Sequence, residues 1–183
     1  MKKLILVVGA SGAGKDSLLK VAKLHFRDYP NVHFLRRYIT RKPGEFEDNF
    51  YVDDIAFEIL KDHGFFFSFW YAHDLKYGVP RQEIESLKEN ETIIVSISRT
   101  KIREFEQRFS GKVTTINITA EESIIKERLE RRKRESSMQI KTRLERMLIP
   151  VSASNLINFE NNAGLEISSV SFLSILKEIM DSH

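Results

Sequence analysis

The sequence predicts an α/β fold in which helices cover both faces of a parallel sheet. At 183 residues the chain is long enough for one well-buried domain. Apolar, β-branched runs alternate along it with segments whose apolar residues recur at helical spacing, and this alternation is typical of such folds. Strands are expected at 3–8, 33–39, 92–97, 113–118 and 156–160, and helices near 15–27, 53–62, 80–89, 99–109, 121–132, 136–148 and 168–181.

The first strand is predicted by the apolar run LILVV near the N-terminus. Only these five apolar residues precede Gly9, which is too few for the apolar segment of a signal peptide. No segment approaches the roughly 20 apolar residues that cross a bilayer. We therefore expect a cytoplasmic protein with no membrane partner. The chain also lacks cysteine, which excludes a disulfide framework and a thiolate metal site.

The charge balance gives little sign of a nucleic-acid partner. The formal net charge is +3, from 29 basic and 26 acidic residues, which is too small to indicate one. Basic residues are nevertheless concentrated at 36–42 (RRYITRK) and 128–134 (RLERRKR). Two short clusters of this kind favour a small, highly anionic ligand over a long polyanion.

The turn after the first strand has the composition of a phosphate-binding loop. Residues 9–17 read GASGAGKDS and nearly match G-x-x-x-x-G-K-[ST], with Gly9, Gly14 and Lys15 in place. A glycine-rich turn between a strand and a helix exposes consecutive backbone N–H groups, to which the helix dipole adds positive potential. Lys15 is expected to reach the β- and γ-phosphates of a nucleotide. The predicted phosphate-binding residues are Gly9, Ala10, Ser11, Gly12, Ala13, Gly14, Lys15, Asp16 and Ser17.

Asp16 stands where this motif usually has a serine or threonine that contacts Mg²⁺. A carboxylate at the start of a helix is favourable by itself, by about 0.3–1 kcal/mol, so Asp16 can be explained without a ligand. Mg²⁺ also prefers carboxylate, phosphate and water oxygens, so Asp16 can replace the hydroxyl directly or through water, with Ser17 adding a hydroxyl. We interpret the site as altered rather than lost, and predict Asp16 and Ser17 as metal-binding residues.

Two regions interrupt the alternation of strands and helices. Residues 41–80 contain a turn-like RKPGEFEDN, a short helix and the aromatic stretch FFFSFWYAHDLKYG, and we interpret them as a small insertion that binds an acceptor. Residues 131–143 place charges and serines inside a helical pattern, as a hinged lid would. The core would then consist of residues 1–40, 81–130 and 144–183. Irregular surface is the alternative interpretation of both regions.

The order of these motifs resembles the guanylate-kinase-like branch of the P-loop nucleotide kinases over nearly the whole chain. The residues that carry the resemblance are the loop itself, RRYITR followed by GE, YG at 77–78, RLERRKRE with a later RL, and NN at 161–162. Within that branch the chain is most similar to the ribose 1,5-bisphosphate phosphokinases of phosphonate degradation. That similarity rests on GKDS (14–17), RYITR (37–41), W-x-AH-x-L-x-YGV (70–79), SR (98–99) and R-x-RE (132–135).

Departures from the guanylate kinases distinguish the chain from that family. Their acceptor motif T-T-R-x-x-R-x-G-E carries two arginines, whereas ITRKPGE keeps Arg41 and lacks the second. They also place a guanine-reading glutamate nine residues before the Y-G tyrosine, where this chain has Ser68. A site without that carboxylate loses a partner for the N–H donors of guanine. A glycine common between the two lid arginines of the phosphokinases is Lys133 here, which weakens the expected lid turn.

The resemblance implies that ATP and Mg²⁺ are used to phosphorylate ribose 1,5-bisphosphate, giving 5-phosphoribosyl 1-diphosphate and ADP. An acceptor that is itself a phosphate is already ionised near neutral pH and needs no general base, in keeping with the lack of a catalytic Asp or His motif. The implied catalytic residues are Lys15, Arg132 and Arg143, and the implied further nucleotide contacts are Arg134, Asn161 and Asn162. Without the resemblance, the three arginines would be interpreted as a solvated helix face.

The acceptor site is expected to use two phosphate-binding arginines. Arg37 and Arg41 alternate with apolar residues along one strand, which would place both on one face and Tyr38 on the other. Arg99 follows a strand at its carboxyl end, where α/β sheets bind ligands. Packing is the alternative for Tyr77, and a structural role is the alternative for His73. The full set of expected substrate-binding residues is Arg37, Arg41, His73, Tyr77, Gly78 and Arg99.

Two other functions are weighed against this one. The first is a guanylate or other nucleoside monophosphate kinase, which Ser68 and the missing arginine disfavour. The second is a non-catalytic guanylate-kinase-like module that binds proteins. Such modules tend to lose the loop lysine and the lid arginines, which this chain keeps as Lys15, Arg132 and Arg143. The expected partners are ATP and a phosphorylated sugar, with no nucleic acid and with a homodimer left open.

Overall fold

Five parallel strands form the central sheet of the protein. The computed structural model describes residues 2–44, 48–132, 137–145 and 149–182. Its strands are β1 (Lys3–Gly9), β2 (Val32–Phe34), β3 (Tyr38–Ile39), β4 (Phe50–Tyr51), β5 (Phe66–Ala72), β6 (Leu75–Pro80), β7 (Thr92–Ser96), β8 (Val113–Thr119) and β9 (Leu156–Glu160). Its helices are α1 (Lys15–His25), α2 (Asp54–Asp62), α3 (Arg81–Glu85), α4 (Ile102–Arg108), α5 (Glu122–Arg132), α6 (Ser137–Glu145) and α7 (Leu165–Asp181), with a 3₁₀ turn at Arg99–Lys101.

The central sheet has the strand order β2-β7-β1-β8-β9, and each pair is parallel. Its middle strand, β1, is buried on both faces, which explains its uninterrupted apolar run. Ile5 and Val7 pack on one face with residues of α1, α5 and α7. Leu4, Leu6 and Val8 pack on the other face with residues of α3 and α4. The predicted α/β fold, with helices on both faces of a parallel sheet, is confirmed.

A second, four-stranded sheet follows the order β4-β3-β6-β5 and mixes parallel and antiparallel pairs. The predicted insertion at 41–80 contains three of its strands, and β3 lies just before it. The ring of Tyr38 contacts those of Phe50, Phe65 and Phe66, and Phe66 stacks on Phe57 of α2. Burial raises the pKa of the Tyr38 phenol, so this ring stays uncharged within the aromatic cluster.

The predicted strand at 33–39 is wrong as a single element. Its first part belongs to β2 of the central sheet and its last part to β3 of the second sheet. The two arginines between them interrupt the apolar pattern, and in the structure Arg36 pairs with Asp48 and Arg37 pairs with Asp16. This short stretch therefore connects the two sheets instead of extending one of them.

β5 and β6 form a hairpin where the sequence predicts only an aromatic segment. Ala72 pairs with Leu75 across a two-residue turn, in which His73 and Asp74 have φ angles of 54° and 58°. A turn with two left-handed residues matches the twist of the flanking strands, but it usually contains Asn or Gly. Neither residue is present, and His73 and Asp74, which adopt positive φ more often than most residues, give only a weak sequence signal for the turn.

Several helices differ from their predicted ranges at the ends. α3 is shorter than predicted, the helix at 99–109 begins as a 3₁₀ turn, and α7 begins at Leu165 rather than 168. Leu165 and Ile167 are exposed, so they do not follow the apolar spacing from which this helix was predicted. No helix in the described part of the chain is both long enough and apolar enough to cross a membrane.

Gly78 in β6 allows the aromatic cluster to pack against the strand. A Cβ built at this position would lie 2.4 Å from Cε1 of Phe66. That ring is 4% exposed and is enclosed by other aromatic side chains, so it has little room to move. The absence of a side chain is therefore a packing requirement at this position.

We expect Gly78→Ala to lower the free energy of unfolding by about 1–3 kcal/mol, because the added methyl group overpacks the strand against Phe66. Chemical denaturation measures the effect. Gly164→Ser is the control, since its added Cβ meets no atom within 4 Å and serine is favoured where a helix begins. Equal stability of the Gly78→Ala variant and the unaltered protein would contradict the steric argument.

Candidate active site

The loop between β1 and α1 follows a path that two of its glycines make possible. Gly9 has a φ of 147°, and a Cβ there would lie 2.1 Å from the carbonyl oxygen of Ile118 in β8. Gly14 has a φ of 93° and precedes the first residue of α1, and a Cβ there would lie 2.2 Å from Nδ2 of Asn161. Both positions combine a left-handed backbone with a close neighbour, so any side chain would displace the loop.

Lys15 lies across the loop that it follows. Its Nζ donates hydrogen bonds to the carbonyl oxygens of Gly9 (2.9 Å) and Ala10 (2.8 Å). The ammonium group is therefore held over the loop, where the exposed N–H groups of a glycine-rich turn would receive phosphates. A bound phosphate would compete with the two carbonyls for this cation.

Two side chains from other elements hold the far side of the loop at the carbonyl of Ala13. Asn161, which is 3% exposed and directly follows β9, donates from Nδ2 to this oxygen at 2.7 Å. Arg128 of α5 donates to the same oxygen at 3.4 Å and to the carbonyl of Asn161 at 3.0 Å. Asn161 was predicted as a nucleotide contact, and here it anchors the loop. Arg128 is missed by the sequence analysis, since an arginine on a charged helix looks like a surface residue.

A cleft of about 560 Å³ opens between the phosphate loop, the hairpin, the carboxyl end of β7 and α6. It brings together most of the predicted site residues, which are Gly9, Ala10, Ser11, Gly12, Gly14, Lys15, Asp16, Arg37, Arg41, His73, Tyr77, Arg99 and Arg143. Its other lining residues include Asn49, Trp70, Tyr71, Ser98 and Thr100. Among the described residues that line it, five carry a permanent positive charge and one, Asp16, is acidic. This charge suits a ligand with several phosphate groups.

Other predicted residues lie away from the cleft wall. Ala13 is a fully buried residue of the loop, and Gly78 is buried against Phe66. Ser17 is half-buried on α1 behind the loop. Asn162 is exposed, and its Oδ1 accepts a hydrogen bond from the backbone N–H of Glu121.

The predicted lid is described only in part. Arg132 ends α5, but its side chain lies outside what the structure describes, as does the whole of Arg134. Arg143 of α6 is described, and its Nη1 donates a hydrogen bond to Oγ of Ser11 in the phosphate loop. One of the predicted lid arginines is thus in contact with the loop.

Arg37 and Arg41 both line the cleft, although the single strand predicted to carry them does not exist. They lie on either side of the short strand β3. The Arg37 side chain is only 13% exposed, and its guanidinium is 5.8 Å from the ring centre of Tyr77. Tyr77 stacks in parallel on Trp70, with ring centres 5.4 Å apart. The aromatic pair thereby supports one side of the arginine.

Ser68 and Arg99 are two positions at which the cleft can be compared with the sequence predictions. Ser68 is 1% exposed and donates a hydrogen bond to Glu104 at 2.9 Å, so its hydroxyl does not face the cleft. Arg99 begins the 3₁₀ turn after β7 and donates to the carbonyl oxygen of Ile149 at 2.8 Å. The cleft therefore has an arginine at the carboxyl end of β7 but no guanine-reading carboxylate at position 68.

The described residues contain no group of three or more His, Cys, Asp and Glu side chains that could hold a metal ion by themselves. Asp16 contributes one carboxylate at the cleft, and Ser17 carries a hydroxyl in the same helical turn. Mg²⁺ is commonly bound through one or two protein oxygens together with substrate phosphates and water. Asp16 therefore fits a metal that arrives with a phosphorylated ligand, whereas Ser17 does not line the cleft.

No protein-family model matches the chain. Curated proteins do match, among them the ribose 1,5-bisphosphate phosphokinase PhnN of Rhizobium etli, which is 34% identical over 97% of this chain and 90% of its own length. The protein of the same name from Acidiphilium cryptum is 36% identical over 98% of this chain and 94% of its own length. The chain belongs to the ribose 1,5-bisphosphate phosphokinase family.

Solved structures place this phosphokinase family member in a wider fold. A guanylate kinase from Anaplasma phagocytophilum superposes with a TM-score of 0.68, at 19% identity, over 98% of this chain and 87% of its own. A gluconokinase from Sinorhizobium meliloti superposes with a TM-score of 0.52, at 20% identity, over 99% of this chain and 98% of its own. These likenesses show the fold, and the predicted P-loop kinase fold is confirmed.

We expect Asn161→Ala in this phosphokinase to lower the free energy of unfolding by about 0.5–1.5 kcal/mol, because the carbonyl of Ala13 loses the shorter of its two hydrogen bonds. The loop loses its anchor at the same time, so ADP should bind more weakly in titration calorimetry. Asn158→Ala is the matched control, since Asn158 is exposed on β9 three residues earlier. An unchanged ADP affinity in the Asn161 variant would contradict the anchoring role.

Proposed function

We propose that the protein transfers the γ-phosphoryl group of ATP to the 1-phosphate of ribose 1,5-bisphosphate, giving 5-phosphoribosyl 1-diphosphate and ADP. The observation that supports this most is that one cleft joins a phosphate-binding loop with two further arginines, Arg37 and Arg41. Family membership supports the same reaction, since the relatives in Rhizobium etli and Acidiphilium cryptum carry its name.

In this proposal the donor binds at the phosphate loop. Backbone N–H groups of the loop hold the phosphates, and Lys15 leaves the carbonyls of Gly9 and Ala10 to neutralise the β- and γ-phosphates. Asp16 would hold Mg²⁺, which would neutralise charge on the triphosphate when bound, and a metal contact of Ser17 stays a prediction. Substituting Asp16→Ser removes this carboxylate and should therefore raise the magnesium concentration required for half-maximal activity. An unchanged midpoint would exclude the metal role.

The acceptor binds on the opposite wall, with its phosphates at Arg37 and Arg41. An oxygen of the 1-phosphate, already ionised near neutral pH, forms a bond to the γ-phosphorus while the bond to the bridging oxygen of ADP breaks. Arg143 contacts the loop from α6, and we assign to it the neutralisation of charge between donor and acceptor. The same role for Arg132, and nucleotide contacts for Arg134 and Asn162, stay predictions.

The competing activities are less well supported. A guanylate kinase needs a reader for guanine, and Ser68 is turned away from the cleft to bond Glu104. A non-catalytic interaction module has no need for the cluster of Lys15, Arg37, Arg41 and Arg143 around one cleft. The cytoplasmic location, the absence of a nucleic-acid partner and the question of a homodimer stay at the level of the sequence predictions.

The direct test is an assay of ADP release with ATP and Mg²⁺ and with either ribose 1,5-bisphosphate or GMP as acceptor. We expect turnover with the bisphosphate only. Lys15→Ala should reduce kcat by about 100-fold or more, because the developing charge loses a fixed cation. Lys126→Ala, which removes an exposed lysine from α5, is the control. Turnover with GMP alone would overturn the proposed acceptor.

The Arg41→Ala variant tests whether Arg41 binds the acceptor rather than ATP. Loss of a charge-assisted contact to phosphate should raise KM for ribose 1,5-bisphosphate about 10- to 100-fold and leave KM for ATP near its original value. Initial rates at varied concentrations of each substrate measure the two effects. Arg103→Ala on the exposed side of α4 serves as the control. Equal increases in both KM values would show that Arg41 does not belong to the acceptor wall.

A further inference from the structure

Three residues line two cavities at once. Asp16, Arg37 and Asn49 border the cleft, and they also border a second cavity of about 700 Å³ between α1 and β2. The ion pair of Asp16 and Arg37 therefore lies in the wall between these two spaces. It also connects the helix that follows the phosphate loop to the stretch that joins the two sheets.

The contacts of Arg37 hold its guanidinium in one place. Nη2 donates to Oδ1 of Asp16 at 3.5 Å, and Nε donates to Oδ1 of Asn49 at 3.3 Å. The aromatic ring of Tyr77 covers one side at 5.8 Å. A guanidinium has five N–H groups in a planar fork, and a carboxylate uses the same donors that a phosphate would use.

Asp16 is the acidic residue among the described residues that line the cleft. An acceptor phosphate at Arg37 would lie close to this carboxylate, and two anions at one guanidinium repel each other. Because the Asp16 side chain is 31% exposed and that of Arg37 only 13%, solvent screens this repulsion only in part. The carboxylate is thus placed to oppose the binding of the acceptor.

We propose that Asp16 is a competing anion for Arg37, which keeps the acceptor weakly bound until the donor nucleotide is in place. The proposal rests on the function proposed above. Asp16 lines the cleft together with the loop and Lys15, so its carboxylate faces the space in which phosphates at the loop would lie. When Asp16 turns towards the cation that accompanies the triphosphate, Arg37 becomes available to the acceptor. The pair thereby favours binding of the donor first, and it keeps stray phosphate compounds out of the cleft.

The test is the affinity for ribose 1,5-bisphosphate without nucleotide and with a metal chelator, so that a metal role of Asp16 cannot contribute. Calorimetry gives the affinity, and Trp70, the single tryptophan of the chain, provides a fluorescence signal because it stacks on Tyr77. Asp16→Asn keeps the shape of the side chain and removes its charge. We expect this variant to bind the bisphosphate about three- to tenfold more tightly than the unaltered protein.

Two further variants show whether the gain acts through Arg37. In an Arg37→Gln background, Asp16→Asn should give less than half of its gain in affinity, because the guanidinium for which the anions compete is absent. Asp48→Asn is the matched control. It removes a carboxylate that borders the second cavity, where Asp48 pairs with Lys23 and Arg36, and it should leave the affinity within about twofold.

The outcomes separate this proposal from the proposed function. An equal or weaker affinity of Asp16→Asn, or an undiminished gain in the Arg37→Gln background, overturns the competition between anions while ADP release still tests the reaction. A saturable tightening in the absence of any turnover supports the competition and overturns the reaction. If Asp16→Asn is unstable, Asp16→Ser is measured in its place with the same expected direction. No saturable binding of the bisphosphate by any variant overturns the competition between anions, while ADP release still tests the reaction.

Discussion

The site depends on the buried anchoring of the phosphate loop. Gly9 lies against the backbone of β8, and the carbonyl of Ala13 is held by Asn161 and Arg128. These contacts come from three regions that are far apart in sequence, so the loop has its shape only when β1, β8 and β9 are already paired. The N–H groups that would receive phosphate are therefore arranged before a ligand binds, and their order does not depend on ligand binding energy.

The wall of the cleft opposite the phosphate loop depends on the packing of aromatic side chains. The second sheet has a core of aromatic rings, and its hairpin places Trp70, Tyr77 and His73 along the cleft. Arg37 lies where the chain passes from one sheet to the other, so its position depends on how the two sheets sit together. Its contacts with α1 and with Tyr77 connect the helix after the phosphate loop to the hairpin through charge and stacking rather than through backbone pairing.

The parts of this molecule that were predictable from sequence are those with a local signal. The phosphate loop combines a buried strand, glycines and a helix within 25 residues, and this order is informative by itself. The split of 33–39 into two strands was not predictable, because its two ends pair with different sheets, the first with β7 and the second with β4 and β6. Arg128 was missed for a similar reason, since its partner carbonyl in the loop is 115 residues away. The family resemblance indicated Asn161, but only burial shows that this side chain supports the loop.

The left-handed turn at His73 and Asp74 has a consequence for how the cleft can change. Residues other than Gly, Asn and Asp cost of the order of 1–2 kcal/mol in this conformation, which applies to His73, so Asn-Gly at the tip would make a more stable hairpin. It would also remove the imidazole from the rim of the cleft. A more stable turn would thus remove a side chain that lines the cleft. Because the turn projects beyond the paired strands, substitutions there change the lining of the cleft without removing a strand pair of either sheet.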